Sequence, residues 1–315
     1  MEQAQTRYGA ILTASPVERF QDGTVKSCQP CAYGALTTPA GVLVPQFSTD
    51  DARRKTVSPV AFYPDGALRA ISLETRSPIS TPLGSIPAEF VTFHPSGALH
   101  RVFPLNGRLT AYWGEEDEAS LAEPMTIATP VGDVTARMLC LRFDQKGRLA
   151  GLTLWPGESV TVKTPCGLVA ARIGLAFYPD GALRSLEPAR PAPVNTPIGT
   201  LLAFDPDAVG VSGDENSLMF SPEGALTGVS TIQNSVSARL ADGTRHDLRP
   251  AMRESLCGNA EREPVPMALR FYADRLEAVR VPGEAPLVLP LAGTAFTARR
   301  LVFDLSAMTP LSCSH

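Results

Sequence analysis

The chain has 315 residues, with 28 basic and 32 acidic side chains, a net charge of −4, 44% hydrophobic and 7% aromatic residues. That balance leaves no basic face for nucleic acid and no polybasic run for an anionic membrane surface. The 29 prolines, nearly twice the usual share of ~5%, argue against a mainly helical protein, and no apolar run reaches the roughly 18 residues of a membrane span.

At the N-terminus, Glu2, Arg7 and Glu18 interrupt any leader-like pattern, and six cysteines are too sparse for a disulfide scaffold. A cytoplasmic location without an integral membrane segment is the expectation. Phe20-Gln-Asp-Gly23 is the first of a series of turn signals. Cys28-Gln-Pro-Cys31 follows, a spacing at which two thiolates can share a metal ion or act as a redox pair. The other cysteines (Cys140, Cys166, Cys257, Cys313) are solitary, and the surroundings lack a βαβ context. Structural thiols are therefore the first reading of Cys28 and Cys31, and a metal or redox module is the alternative.

Val60-Ala-Phe-Tyr-Pro-Asp-Gly-Ala-Leu-Arg-Ala-Ile71 opens an internal repeat that Leu175–Leu186 copies almost letter for letter. Weaker copies run over Val91–Val102, Leu141–Leu152 and Leu218–Val229, and a degenerate one at Phe271–Leu276 lacks the glycine. The apolar-x-Phe alternation has the period of a strand. Pro-Asp-Gly supplies a type I turn whose glycine takes the left-handed position of a bulge. Thr-Pro-x-Gly recurs at Thr38–Gly41, Thr81–Gly84, Thr129–Gly132, Thr164–Gly167 and Thr196–Gly199 and reads as a second turn at the opposite edge. The expected fold is all-β, an antiparallel meander of repeated β-hairpins forming an elongated curved sheet or roll, with a β-propeller as the alternative. The array is expected over residues 1–250. Residues 251–315 would hold a short helix within Pro250–Glu263, then the degenerate repeat and further strands.

The Phe-Tyr-Pro-Asp-Gly-Ala-Leu-Arg-Ser-Leu unit resembles the bacterial MORN-variant repeat, an aromatic-x-x-x-Gly-x-Leu hairpin. The resemblance covers about six copies between Phe20 and Val279, and only part of each. It departs from the family in its proline content, its interleaved Thr-Pro-x-Gly turns and its spacing, with the repeat phenylalanines at 62, 93, 143, 177, 220 and 271. It implies hairpin-repeat architecture and a scaffolding role in contact with partners or membranes; it carries over no catalytic residue.

Four stretches could carry chemistry. His94 and His100 stand where other copies have Tyr63 or Tyr178 and Arg69 or Arg184, slots expected at the surface, and would form a small polar site if they meet across their hairpin. Arg101–Glu118 is the least repetitive segment. Its Asn106-Gly107 signals a second hairpin, and Tyr112 and Trp113 run into Glu115, Glu116, Asp117 and Glu118. This is either a solvated acidic loop or a recognition patch, in which an aromatic anchor beside acids suits a basic or polar partner. Asp205-Pro-Asp207 hints at a calcium loop, but the frame puts Val209 and Asn216 where ligands belong, so an acidic loop is expected. Pro250–Glu263 reads as the short helix or an irregular loop, with Gly258 and Asn259 inside it. Phosphate loops, the G-x-S-x-G elbow and H-E-x-x-H are absent from the sequence, and no cofactor is implied. The expected function is a non-enzymatic β-repeat scaffold that binds a protein or other ligand, with a self-associating structural protein as a further alternative.

Overall fold

The computed structural model describes residues 1–50, 52–208, 216–254 and 262–302. Among them are 28 strands and a single helix of six residues, Glu115–Ser120, so the protein is all-β. Every recorded strand pairing is antiparallel, and most join neighbours in the chain, as a meander requires. The chain divides into two compact units. Unit 1 comprises Met1–Thr129 with Asp133–Trp155; unit 2 comprises Pro130–Gly132 with Pro156–His315. The division therefore falls near Trp155, inside the expected array and well before residue 250.

In unit 1 the meander runs through Glu18–Arg19, Val25–Cys28, Val60–Phe62, Leu68–Thr81, Gly84–Phe93, Leu99–Phe103, Gly132–Phe143 and Leu149–Leu154. In unit 2 it runs through Val160–Thr164, Gly167–Phe177, Leu183–Pro188, Leu218–Phe220, Leu226–Thr231, Met267–Phe271, Arg275–Val279 and Leu287–Pro290. The expected helix is corrected. Ala251–Glu254 pairs with Arg262–Val265 as two antiparallel strands, which satisfies their backbone groups in a ladder where the sequence suggested i to i+4 bonds; Gly258 and Asn259 lie outside the described residues.

The Pro-Asp-Gly turns form as their chemistry dictates. Gly66 N–H donates to the Tyr63 carbonyl, Tyr63 N–H to the Ala67 carbonyl, and the Asp65 carboxylate accepts from Ala67 N–H. Gly66 has φ 78°, a conformation open to glycine at no steric cost, and the strand register slips by one residue beside it. The same backbone pattern recurs at Gly23, Gly97, Gly147, Gly181 and Gly224, and at Ala241-Asp242-Gly243. At Phe271–Leu276, where glycine is missing, the register runs straight from Phe271↔Leu276 to Arg270↔Glu277 with no slip.

In the Thr-Pro-x-Gly turns the threonine hydroxyl closes the loop. Thr38, Thr81, Thr164 and Thr196 each donate Oγ1–H to the glycine carbonyl at 2.6–2.8 Å and accept from the N–H two residues on. Thr6-Arg-Tyr-Gly9 makes the same turn without proline.

Two contacts tie the copies together. The residue after the repeat phenylalanine donates to the carbonyl of the next one: Tyr63 Oη to Phe93 O at 2.9 Å, His94 Nε2 to Phe143 O at 3.0 Å, Tyr178 Oη to Phe220 O at 2.9 Å. Second, the proline of a Thr-Pro-x-Gly turn packs on the turn glycine of the second copy after it. A Cβ at Gly147 would sit 3.0 Å from Pro82, and one at Gly181 or Gly224 would sit 3.3 Å from Pro130 or Pro165. Beneath these contacts the six repeat phenylalanines are all buried, each contributing about 1.5–3 kcal/mol of hydrophobic stabilisation.

Candidate functional site

The segment between the copies at Phe93 and Phe143 departs most from the repeat, and it is built around buried charge. Arg53 forks onto two carboxylates: Nη1 and Nη2 meet Glu89 at 2.9 and 2.6 Å, and Nε and Nη2 meet Glu118 at 2.6 and 2.7 Å. All three side chains are nearly excluded from solvent, at 12%, 8% and 9% exposure. The remaining acceptor capacity is filled by Trp113 Nε1 and Gly107 N–H on Glu118, and by Asn106 N–H on Glu89. Burial pushes the Glu118 carboxyl up, but the Arg53 and Trp113 donors outweigh it and hold it below the ordinary range.

Asn106-Gly107 therefore makes no hairpin, contrary to the sequence expectation. Its two N–H groups feed buried carboxylates, and a Cβ at Gly107 would fall inside the Glu118 carboxylate. The tight turn lies further on, where Thr110 and Trp113 bridge each other. Thr110 Oγ1 also donates to the Ala52 carbonyl and accepts from Tyr112 N–H. Held this way, Tyr112 is 76% exposed with Lys55 Nζ 4.5 Å above its ring, and Leu109 is 68% exposed.

Each unit also has a serine and a glutamate hydrogen-bonded on the strand that returns from a Pro-Asp-Gly turn, at Ser72-Leu73-Glu74 and, two residues earlier in the repeat, at Ser185-Leu186-Glu187. In unit 1, Asn106 Nδ2 donates to Ser72 Oγ, and Glu74 accepts from Phe47 N–H, Ser48 N–H and the Ser48 hydroxyl. In unit 2, Asn216 Nδ2 donates to Ser185 Oγ, and Glu187 accepts from Asp205 N–H at 2.9 Å and Ser217 N–H at 2.8 Å. The two glutamates differ in charge environment. Burial opposes ionisation of Glu74, yet the Ser48 and Phe47 donors and nearby Arg54 hold its carboxyl low. Glu187 is fully buried, its neighbour Asp205 is another acid, and burial above all pushes its carboxyl up to about 7.

Trp113 points its indole N–H into Glu118 and is half-buried; Glu115, Glu116 and Asp117 lie exposed on the first turn of the short helix, where Asp117 accepts from Gly114 N–H at 2.8 Å. Glu118, the fourth acid of that run, belongs to the core. His94 and His100 do meet, with ring centroids 4.4 Å apart, but both are half-buried where exposed slots were expected, because His94 serves the joint to Phe143. Cys28 and Cys31 are free thiols; burial, then Glu2, pushes Cys28 up to about 11. Among the described residues no group of three or more His, Cys, Asp or Glu is arranged to hold a metal ion. Asp207 pairs with Arg253 at 2.8 Å, whereas Val209, Gly210, Asp214, Glu215, Cys257, Cys313 and His315 lie outside the described residues. No described helix is long and apolar enough to cross a membrane.

Arg53, Glu89 and Glu118 carry no recognisable spacing, since they meet only through tertiary contacts 36 and 65 residues apart in the chain. The Ser-Leu-Glu tripeptide is visible in the sequence at both best repeat copies, after the first copy and across the end of the second, two residues out of step. A scan against protein-family models and searches of curated proteins and of solved structures found no match to the chain.

Proposed function

We propose that the protein is a non-enzymatic β-hairpin repeat scaffold of the MORN-variant kind, and that its insertion at Leu105–Leu121 is a contact surface for a protein partner. One observation carries this reading. The insertion is locked from below by a buried four-armed arginine, yet it holds Leu109 and Tyr112 out in water. Rigid, exposed aromatic and aliphatic side chains on a supported loop are what a binding hot spot requires, because little side-chain entropy remains to be lost on association. The Pro-Asp-Gly and Thr-Pro-x-Gly turns, by contrast, have a form that follows from the hairpins alone.

The test is capture of a partner by the intact protein, with the partner identified by mass spectrometry, then repeated with Leu109→Ser and Tyr112→Ala combined. The double variant is expected to keep the native melting temperature, since both side chains are exposed, and to lose affinity at least tenfold, or about 1.4 kcal/mol. Undiminished affinity in a folded double variant would remove the insertion as the contact surface.

A further inference from the structure

Five asparagines occur in the chain, and only Asn106 is followed by glycine. Asparagine is among the thermolabile residues, and glycine after it sets no Cβ in the path of a backbone nitrogen closing onto the side-chain amide. Here the nucleophile and the amide are both engaged. Gly107 N–H donates to Glu118 Oε1 at 2.8 Å, Asn106 N–H to Glu89 Oε2 at 2.8 Å, and Asn106 Nδ2 to Ser72 Oγ at 3.0 Å. Asn106 and Gly107 are only half-buried, so bonding rather than exclusion of water restrains them. Charge adds to the restraint. The bonded charges of the centre are the Glu89 and Glu118 carboxylates and the Arg53 guanidinium, which leaves a negative charge in excess. Taking the amide proton from Gly107 would set a further negative charge against Glu118.

The Asp-Gly steps at Asp22, Asp65, Asp180 and Asp242 could close the same cyclic imide by loss of water, but they are held differently. Each of their glycine N–H groups donates to the backbone carbonyl three residues back, and each aspartate Oδ1 accepts from the N–H two residues on. Those bonds lie inside the turn itself. Of these steps, only Asn106-Gly107 is restrained by side chains from elsewhere in the chain.

We propose that Asn106-Gly107 is a modification site held dormant by the Arg53 centre, and that it converts to Asp or isoAsp once that centre opens. The Gly107 amide proton passes to water and the nitrogen bonds to Asn106 Cγ. The Cγ–Nδ2 bond breaks, and the amide nitrogen leaves as ammonia. Water then opens the cyclic imide at either carbonyl; nothing is oxidised or reduced. Either product has a carboxylate where the amide stood, and isoAsp also lengthens the main chain. The centre already carries excess negative charge, so it does not close again around the product. A single opening is thereby recorded in the covalent structure. The proposal rests on the lock beneath the insertion and is independent of whether the insertion binds a partner.

Peptide mapping by mass spectrometry, after prolonged incubation of the intact protein at neutral pH, tests this. Asn106 is expected to convert at least tenfold more slowly in the native protein than in urea-unfolded protein. Arg53→Ala, shown to be folded by circular dichroism, should convert Asn106 at least tenfold faster than the native protein. Isomerisation at Asp65 and Asp180 should keep its native rate in that variant. Equal conversion in native and unfolded protein, or an unchanged rate in folded Arg53→Ala, would overturn the proposal. Should Arg53→Ala not fold, the unaltered protein in urea below its unfolding midpoint decides. Conversion of Asn106 that rises in step with Gly107 amide exchange supports the proposal, and conversion independent of that exchange refutes it. Failure to reclose is read in Asn106→Asp. Its Gly107 N–H should exchange at least tenfold faster than in the native protein, and native protection there refutes the one-way step.

Discussion

At the scale of single residues, buried charge rather than exposed charge organises this protein. Arg53 is committed to two carboxylates, so its removal leaves two buried anions unpaired. Arg53→Ala is expected to cost about 3–5 kcal/mol, as measured by urea unfolding. Gly107→Ala should also destabilise, by about 2–4 kcal/mol, because the new methyl group displaces the Glu118 carboxylate. Acid should reach the same centre. The low Glu118 carboxyl contributes stability that is present above pH 4.5 and is lost as pH falls through its depressed folded value. Trp113 fluorescence in a Trp155→Phe background reports that step. The thiols should divide by exposure: maleimide at pH 8 is expected to label exposed Cys166, while Cys28 and Cys140, both pushed up to about 11 by burial, react only on unfolding. Peptide mapping by mass spectrometry distinguishes them.

At the scale of elements, the sequence was most legible where local chemistry decides the backbone. Pro-Asp-Gly and Thr-Pro-x-Gly each specify their turn through a fixed φ, a side-chain acceptor or hydroxyl, and a glycine, and none of those needs a distant partner. Asn106-Gly107 departs from its turn signal for the complementary reason: two carboxylates that only the folded chain brings near take its N–H groups. Gly258 and Asn259 gave no such guide to Ala251–Glu254, whose pairing with Arg262–Val265 depends on a strand partner rather than on propensity. The turn glycines answer to two constraints at once. Gly181→Ala combines a left-handed φ of 90° with a close approach to Pro130, and a loss of about 1–2 kcal/mol is expected by thermal melting. Tyr178→Phe, which strands the Phe220 carbonyl, should cost about 1 kcal/mol in the same assay.

At the scale of the whole molecule, the two units carry the same repeat. In unit 1, Glu74 and Glu118 are held low by donors and arginines, so its stability should decline only in acid below about pH 4.5. Calorimetric scans from pH 3 to pH 8 check this, with Arg53→Ala marking the transition that belongs to unit 1. Composition announced the fold class at this scale, through proline surplus and period-2 alternation. It was silent on the division near Trp155, because no composition shift or linker accompanies it.

The joints between copies also explain how the repeat could drift so far in sequence. Tyr63, His94 and Tyr178 each reach for a main-chain oxygen of the next copy, never for its side chain. Every amino acid supplies that oxygen. A receiving copy can therefore exchange nearly any of its surface letters without being unlinked from its neighbour, and a donating copy needs only a ring with a polar hydrogen at its far edge. Mutational tolerance is in this way written into the wiring of the array, which leaves its outward-facing positions open to selection for whatever they touch.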